Sequence, residues 1–247
     1  ILISGHSAYP RTIDFATFQE IAEDVGAIHL ADVSHLSGLI AGGAHPNPCP
    51  HADIVTMTTH KSLRGPRGAI ILCKEQYAKA VDKAVFPGSQ GGAHNNVIAA
   101  KAVAFQEAMQ PAFKEYATQL VRNAKALATR LTDRGLELVT GGTDNHLLLI
   151  DLQRTHGTGM GGPAAQALED AGIVTNKNTV PDEPGSPFKP SGVRLGTPWL
   201  TSWGLEVDDM LLVADCIADV LEDVEDQERI LQVRERTRLL SKEFHIR

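Results

Sequence analysis

A lysine set among hydroxyl and imidazole groups, Thr58-Thr59-His60-Lys61-Ser62, is followed by the glycine- and arginine-containing run Leu63-Arg64-Gly65-Pro66-Arg67-Gly68. A lysine amine can condense with an aldehyde, so Lys61 is a candidate anchor for pyridoxal phosphate, and the neighbouring hydroxyls, imidazole and glycines suit an anionic aromatic ligand. Upstream stands Ala27-Ile28-His29-Leu30-Ala31-Asp32-Val33-Ser34-His35. A carboxylate such as Asp32 beside a pyridine nitrogen keeps it protonated and lets the ring accept electrons from a substrate carbanion. Taken singly, each residue has a plainer reading. Asp32 alone suits a cap or turn, Lys61 alone a solvated loop, and His35 and His60 local hydrogen bonding.

What joins these residues is their place at the ends of apolar runs. Ala27 to Ala31, Ala52 to Thr58 and Ala69 to Cys73 are β-prone and short enough for interior strands, with the lysine loop between the last two. In a mainly parallel sheet the carboxyl ends of neighbouring strands open on one crevice, so Asp32 and Lys61 can enter one site. Asp14 is positioned to cap a helix with Phe15, Phe18, Ile21, Ala22 and Val25 on its apolar stripe, and Gly26 to end it. Helices are expected over 74–84, 95–109 and 112–134, the last carrying Phe113, Tyr116, Leu120, Ala124, Leu127 and Leu131 on one face. Beyond Gly141-Gly142-Thr143 the pattern changes. A strand is expected over 145–151, a helix over 163–171, a short strand over 192–196 beside a Pro/Gly-rich connection, and helices over 205–224 and 228–240.

The fold class expected is α/β, with a partial, mainly parallel large domain over 1–140 and a smaller α+β C-terminal domain over 141–247. At 247 residues and 43% hydrophobic the chain can bury a sizeable core. Ile1-Leu2-Ile3-Ser4-Gly5 reads as a strand inside a sheet, so the fold is expected to draw on an upstream region or a complementary chain. The net charge of −7, with both signs interspersed, argues against nucleic-acid or anionic-membrane partners. No apolar run reaches the roughly 18 residues a membrane span needs. Three cysteines without regular spacing suit a reducing compartment, and the expected location is the cytoplasm. His45, Cys49, His51 and Asp53 carry metal-ligand chemistry, but their proline-interrupted spacing matches no recurring zinc pattern, and no metal is expected.

The motifs in series resemble the serine hydroxymethyltransferase family of fold-type I pyridoxal phosphate enzymes. The resemblance is carried by Asp32-Val33-Ser34-His35 through Gly38-Leu39-Ile40, His45-Pro46-Asn47-Pro48, Thr58-Thr59-His60-Lys61, and Val85-Phe86-Pro87-Gly88 with Gln90-Gly91-Gly92. It continues through Gly141-Gly142-Thr143-Asp144-Asn145-His146, Asn176-Lys177-Asn178 and Ser191-Gly192-Val193-Arg194-Leu195-Gly196-Thr197-Pro198, and so runs in order along the chain.

The resemblance implies that Lys61 holds the cofactor, Asp32 pairs with its pyridine nitrogen and His35 contacts its phenolic oxygen. It implies that His60 lines the cofactor site, that Thr58 helps orient the reacting group, and that the Gly91-Gly92 loop meets the phosphate of a neighbouring subunit. Arg194 would bind the substrate carboxylate, Arg67 would support the site and Asn178 would border the folate. The activity implied is reversible transfer of the serine hydroxymethyl carbon to tetrahydrofolate as cosubstrate, giving glycine and the 5,10-methylene form, in a homodimer with shared active sites.

Four residues at three places depart from the family's common pattern: Val33-Ser34 where Met-Ala is usual, Ala93 where proline is usual, and Trp203 where arginine is usual. They bring into view a related aldolase or hydroxymethyltransferase acting on another β-hydroxy amino acid. A noncatalytic subunit or interaction module is the reading from another class.

Overall fold

A computed structural model describes residues 1–243. The chain divides into two compact units, one formed by Ile1–Ser7 and Thr12–Thr118, the other by Ala8–Arg11 and the chain from Gln119 on. The first holds β1 (Leu2–Gly5), α1 (Phe15–Asp24), β2 (His29–Asp32), α2 (Ser37–Ala41), β3 (Ile54–Thr58), β4 (Ala69–Cys73), α3 (Glu75–Lys83), α4 (Asn95–Ala108) and the start of α5 (Pro111–Asp133). Its sheet has the order β1-β2-β3-β4. The first three strands run parallel, and β4 returns antiparallel to β3, so the sheet is mixed but mainly parallel.

Local chemistry accounts for the first helix. Asp14 caps it, Oδ1 accepting the Thr17 amide at 3.1 Å, and Gly26 follows at φ +66°, where glycine carries no Cβ penalty. Phe15 and Ala22 are buried with Ile13, Ala31, Val33, Leu36, Ala52 and Val55. The expected stripe on α1 is corrected at Ile21 and Val25, which are exposed. The burial used by this helix is narrower than its apolar pattern.

Two strands expected in the interior are sheet edges among the described residues. β1 pairs only through β2 and leaves Ile1 and Ile3 exposed, while β4 leaves Ile71 and Leu72 exposed. At the amino-terminal end of the parallel strands, buried His29 Nε2 is hydrogen-bonded to Ser4 Oγ at 2.8 Å, and the His29 amide donates to Asp53 Oδ2 at 3.0 Å. Lys74 Nζ reaches Asp53 Oδ1 at 2.8 Å. Burial would raise the Asp53 carboxyl, but the hydrogen bonds from Lys74 and His29 outweigh it and hold the pKa below the ordinary range. Asp53 thus serves the fold through Lys74 and His29.

The second unit holds β5 (Glu137–Leu138), β6 (Leu147–Asp151), α6 (Gly161–Asp170), β7 (Asn176–Asn178), β8 (Gly192–Gly196), α7 (Pro198–Ser202), α8 (Val207–Glu222) and α9 (Gln227–Glu243). Its strands pair antiparallel in the order β5-β6-β8-β7. Leu148 and Ile150 of β6 are fully buried with Leu131 of α5, Leu168 of α6 and Met210 and Ile217 of α8. The apolar face expected on α5 is buried along its length, from Phe113 to Leu131. Arg134 ties α5 to α8, donating to Asp215 at 2.7 Å and Asp219 at 2.8 Å.

Among the described residues no helix is long and apolar enough to cross a membrane. All three cysteines are free thiols: Cys49 is exposed, Cys73 half-buried and Cys216 buried.

Candidate active site

Asp32 closes β2 and Thr58 closes the neighbouring parallel β3, so both stand at the carboxyl-terminal edge of the sheet. β1 meets them there. Gly5 lies in register with Asp32 and has φ +143°, and a Cβ on it would fall 2.2 Å from the Asp32 carbonyl oxygen. Glycine is required at that approach. His6 follows directly, and burial, with His45 nearby, lowers its pKa from 6.5 to about 4, so it is neutral at pH 7.

The loops carrying the candidate residues are bound to each other atom by atom. Thr58 Oγ1 donates to Ser34 O at 3.1 Å, and Ser62 Oγ donates to His35 O at 3.0 Å while accepting the Gly38 amide at 3.0 Å. A Cβ on Gly38 would lie 2.2 Å from Ser62 O, so the start of α2 passes directly over the lysine loop. Asp32 Oδ1 accepts the Ser34 amide at 3.0 Å, which fixes the turn out of β2. Across the loop, Thr59 N donates to Gly68 O at 3.0 Å, Gly65 N to Thr59 O at 2.7 Å and Arg64 N to Lys61 O at 2.9 Å. Lys61 is half-buried at the centre of this loop.

Of the expected site residues, Asp32, His35, Thr58, His60, Lys61 and Arg67 occupy these linked loops of the first unit. His60 is half-buried, its Nε2 3.5 Å from Arg67 Nη1, and its Nδ1 is buried with no hydrogen-bond partner among the described residues. Arg64, at φ 62°, lays its guanidinium 4.5 Å from the Tyr116 ring centroid. Gly91 and Gly92 are exposed beyond the kinked segment Ala84–Ser89, whose backbone leaves helical conformation at Phe86 and Pro87, and among the described residues nothing lies within 4 Å of where a Cβ would stand on either. Their loop has open space at both positions.

Arg194 and Asn178 belong to the second unit. Arg194 is central in β8 and half-buried; burial lowers its pKa, and a guanidinium remains charged at neutral pH. Its Nε donates to Asn176 Oδ1 at 3.0 Å. Asn178 ends β7 opposite Gly192, its Nδ2 2.6 Å from Thr179 O.

The connection between these strands is organised by a carboxylate that no motif or spacing announces. Glu183 Oε1 accepts from Ser191 Oγ at 2.7 Å and the Gly185 amide at 3.1 Å, and Oε2 from the Ser191 amide at 2.8 Å. Burial would raise the Glu183 carboxyl, yet these hydrogen bonds prevail and hold its pKa below the ordinary 4.5. Ser191 also receives the Gly159 amide on Oγ at 2.9 Å and the Leu152 amide on its carbonyl at 3.0 Å. The β8 strand is therefore fixed three residues before Arg194. An acidic residue in a Pro/Gly-rich stretch carries no signal of such a role, because its partners lie on either side of the loop it closes.

A sequence model of the family described as serine hydroxymethyltransferase matches residues 1–217. A curated serine hydroxymethyltransferase of Desulfotalea psychrophila (strain LSv54 / DSM 12343) is 52% identical over 244 residues, covering 99% of this chain and 57% of the relative. The chain thus spans little more than half the length of that relative.

Proposed function

The chain belongs to the serine hydroxymethyltransferase family, and from that premise we propose that it acts in the reversible transfer of the serine hydroxymethyl carbon to tetrahydrofolate, yielding glycine and 5,10-methylenetetrahydrofolate. The observation that carries this reading is Lys61 in a half-buried loop joined to the strand ends that bear Asp32 and Thr58. The donor set fits pyridoxal phosphate: an amine for its aldehyde, a carboxylate for its pyridine nitrogen, and a buried His60 Nδ1 without a hydrogen-bond partner among the described residues. When bound, that cofactor supplies an electron sink for the substrate α-carbon.

In this reading Lys61 anchors the cofactor, and Asp32 favours the protonated ring nitrogen by charge attraction. His35 serves the phenolic oxygen, His60 lines the site, and Thr58 and Arg67 support it from the loop. The Gly91-Gly92 backbone offers amide donors to a phosphate across a homodimer interface. Arg194 takes the substrate carboxylate, for which its planar fork is suited, and Asn178 borders the folate. Residues 1–140 contain the cofactor-binding portion of a fold-type I transferase and 141–247 the smaller C-terminal domain, although compact packing divides earlier, at Thr118 and Gln119. Exposed Phe86, Ile98, Val103 and Met109 on the first unit support a partner surface there, supplied by a second copy or by further polypeptide. The cytoplasm is the proposed location.

The departures at Ser34, Ala93 and Trp203 support one rival, an aldolase or hydroxymethyltransferase for another β-hydroxy amino acid. The test uses full-length protein with pyridoxal phosphate and serine labelled on its hydroxymethyl carbon. Label transfer that requires tetrahydrofolate is expected. Cleavage of β-hydroxy amino acids at the same rate without folate would replace this reading with the aldolase, and failure to bind the cofactor would favour a noncatalytic module.

A further inference from the structure

We propose that Asn176 is a positioning residue for Arg194, holding the guanidinium through a neutral acceptor and so setting affinity for carboxylate-bearing amino acids. The inference rests on the reading of Arg194 as the substrate-carboxylate anchor.

The two residues face each other across the antiparallel β7–β8 pair. Arg194 Nε donates to Asn176 Oδ1 at 3.0 Å. The Asn176 amide is itself oriented: its Nδ2 donates to Lys177 O at 3.0 Å, which leaves the oxygen toward the guanidinium. A hydrogen bond at Nε restrains rotation of the guanidinium plane, and planar two-point recognition of a carboxylate depends on that plane. β8 enters this pairing from a fixed point, since Ser191 is held by Glu183, Gly159 and Leu152.

The chemistry of the acceptor matters as much as its place. An amide oxygen accepts the Nε proton without adding negative charge. A carboxylate in the same position would accept it more strongly and would pair with the arginine's charge, competing with an incoming substrate carboxylate. Asn and Asp are close to isosteric, so the exchange changes charge while keeping the shape of the β7–β8 contact.

The test compares Asn176→Asp and Asn176→Ala with Arg194→Ala in full-length protein carrying pyridoxal phosphate. Glycine is titrated by the absorption change of the cofactor, and methylamine, which lacks a carboxylate, serves as the matched probe. Asn176→Asp is expected to raise the apparent Kd for glycine at least about tenfold, leave methylamine unchanged, and raise KM for serine with kcat held within about twofold. Asn176→Ala should weaken glycine in the same direction by less. Equal weakening of glycine and methylamine would overturn the positioning role in favour of a general effect on the fold. Glycine affinity unchanged in Asn176→Asp but lost in Arg194→Ala would overturn the inference and keep the Arg194 reading; unchanged affinity in Arg194→Ala would overturn both.

Discussion

Gly38 and Ser62 hold the lysine loop at the scale of single atoms. The Gly38 amide reaches Ser62 Oγ at 3.0 Å, and the Ser62 carbonyl oxygen occupies space that any Cβ on residue 38 would need. A Gly38→Ala change must therefore displace backbone, and overpacking of this kind costs about 1–3 kcal/mol. Urea unfolding should record that loss, and the displaced loop should take up pyridoxal phosphate more weakly; an unchanged midpoint with unchanged uptake would refute the close approach. Residue chemistry singled out Lys61 and Asp32 as candidates in the sequence, because amine and carboxylate have few equivalents; the structure adds that their loops are hydrogen-bonded to each other. Ser62 and Thr59 were not legible as structural keystones. A hydroxyl's role lies in the carbonyl it meets after folding, and hydroxyls are common in loops.

Among the elements, the β7–β8 connection depends on a charged group that no periodicity announces. Glu183 has a folded-state pKa below its ordinary 4.5. Its ionised form therefore stabilises the loop at pH values above 4.5, and that stabilisation is lost as pH falls through the lower folded-state value. Glu183→Gln should make residues 180–191 more susceptible to limited proteolysis at pH 7, and the difference from the unaltered protein should shrink as acid protonates Glu183. A difference independent of pH would point to shape rather than charge. The capped helix α1 and the long α5 were readable from Asp14 and from the α5 apolar spacing. β7 was not, since Asn176-Lys177-Asn178 has no apolar alternation and becomes a strand only by pairing with β8. β4 was readable as a strand but not as an edge, because β-prone composition does not reveal what covers a strand.

For the whole molecule, the two compact units differ in how much apolar surface each buries. The second unites α5, β6, α6, α8 and α9 residues in one extended core, whereas the sheet of the first packs around a small cluster centred on Phe15, Val33 and Val55 and leaves Ile1, Ile3 and Ile71 exposed. Both tryptophans, Trp199 and Trp203, lie in the second unit. Denaturation of this 247-residue chain should then be non-coincident. Far-ultraviolet circular dichroism should begin to change at lower urea than tryptophan fluorescence, and hydrogen exchange should be faster in β1–β4 than in β6 and β8. Superimposable transitions would contradict the separation. The change of pattern near Gly141 suggested a boundary there, whereas the compact units divide at Thr118 and Gln119; that division was hidden because α5 runs through it without a break in its apolar face.

The proposed anchoring of pyridoxal phosphate by Lys61 is open to a direct chemical test. Full-length protein is loaded with the cofactor, reduced with borohydride and mapped by peptide mass. A pyridoxyl group on Lys61 Nζ, absent from the Lys61→Ala variant, is expected; an adduct confined to another lysine, or none in protein that is folded and complete, would overturn the assignment of Lys61.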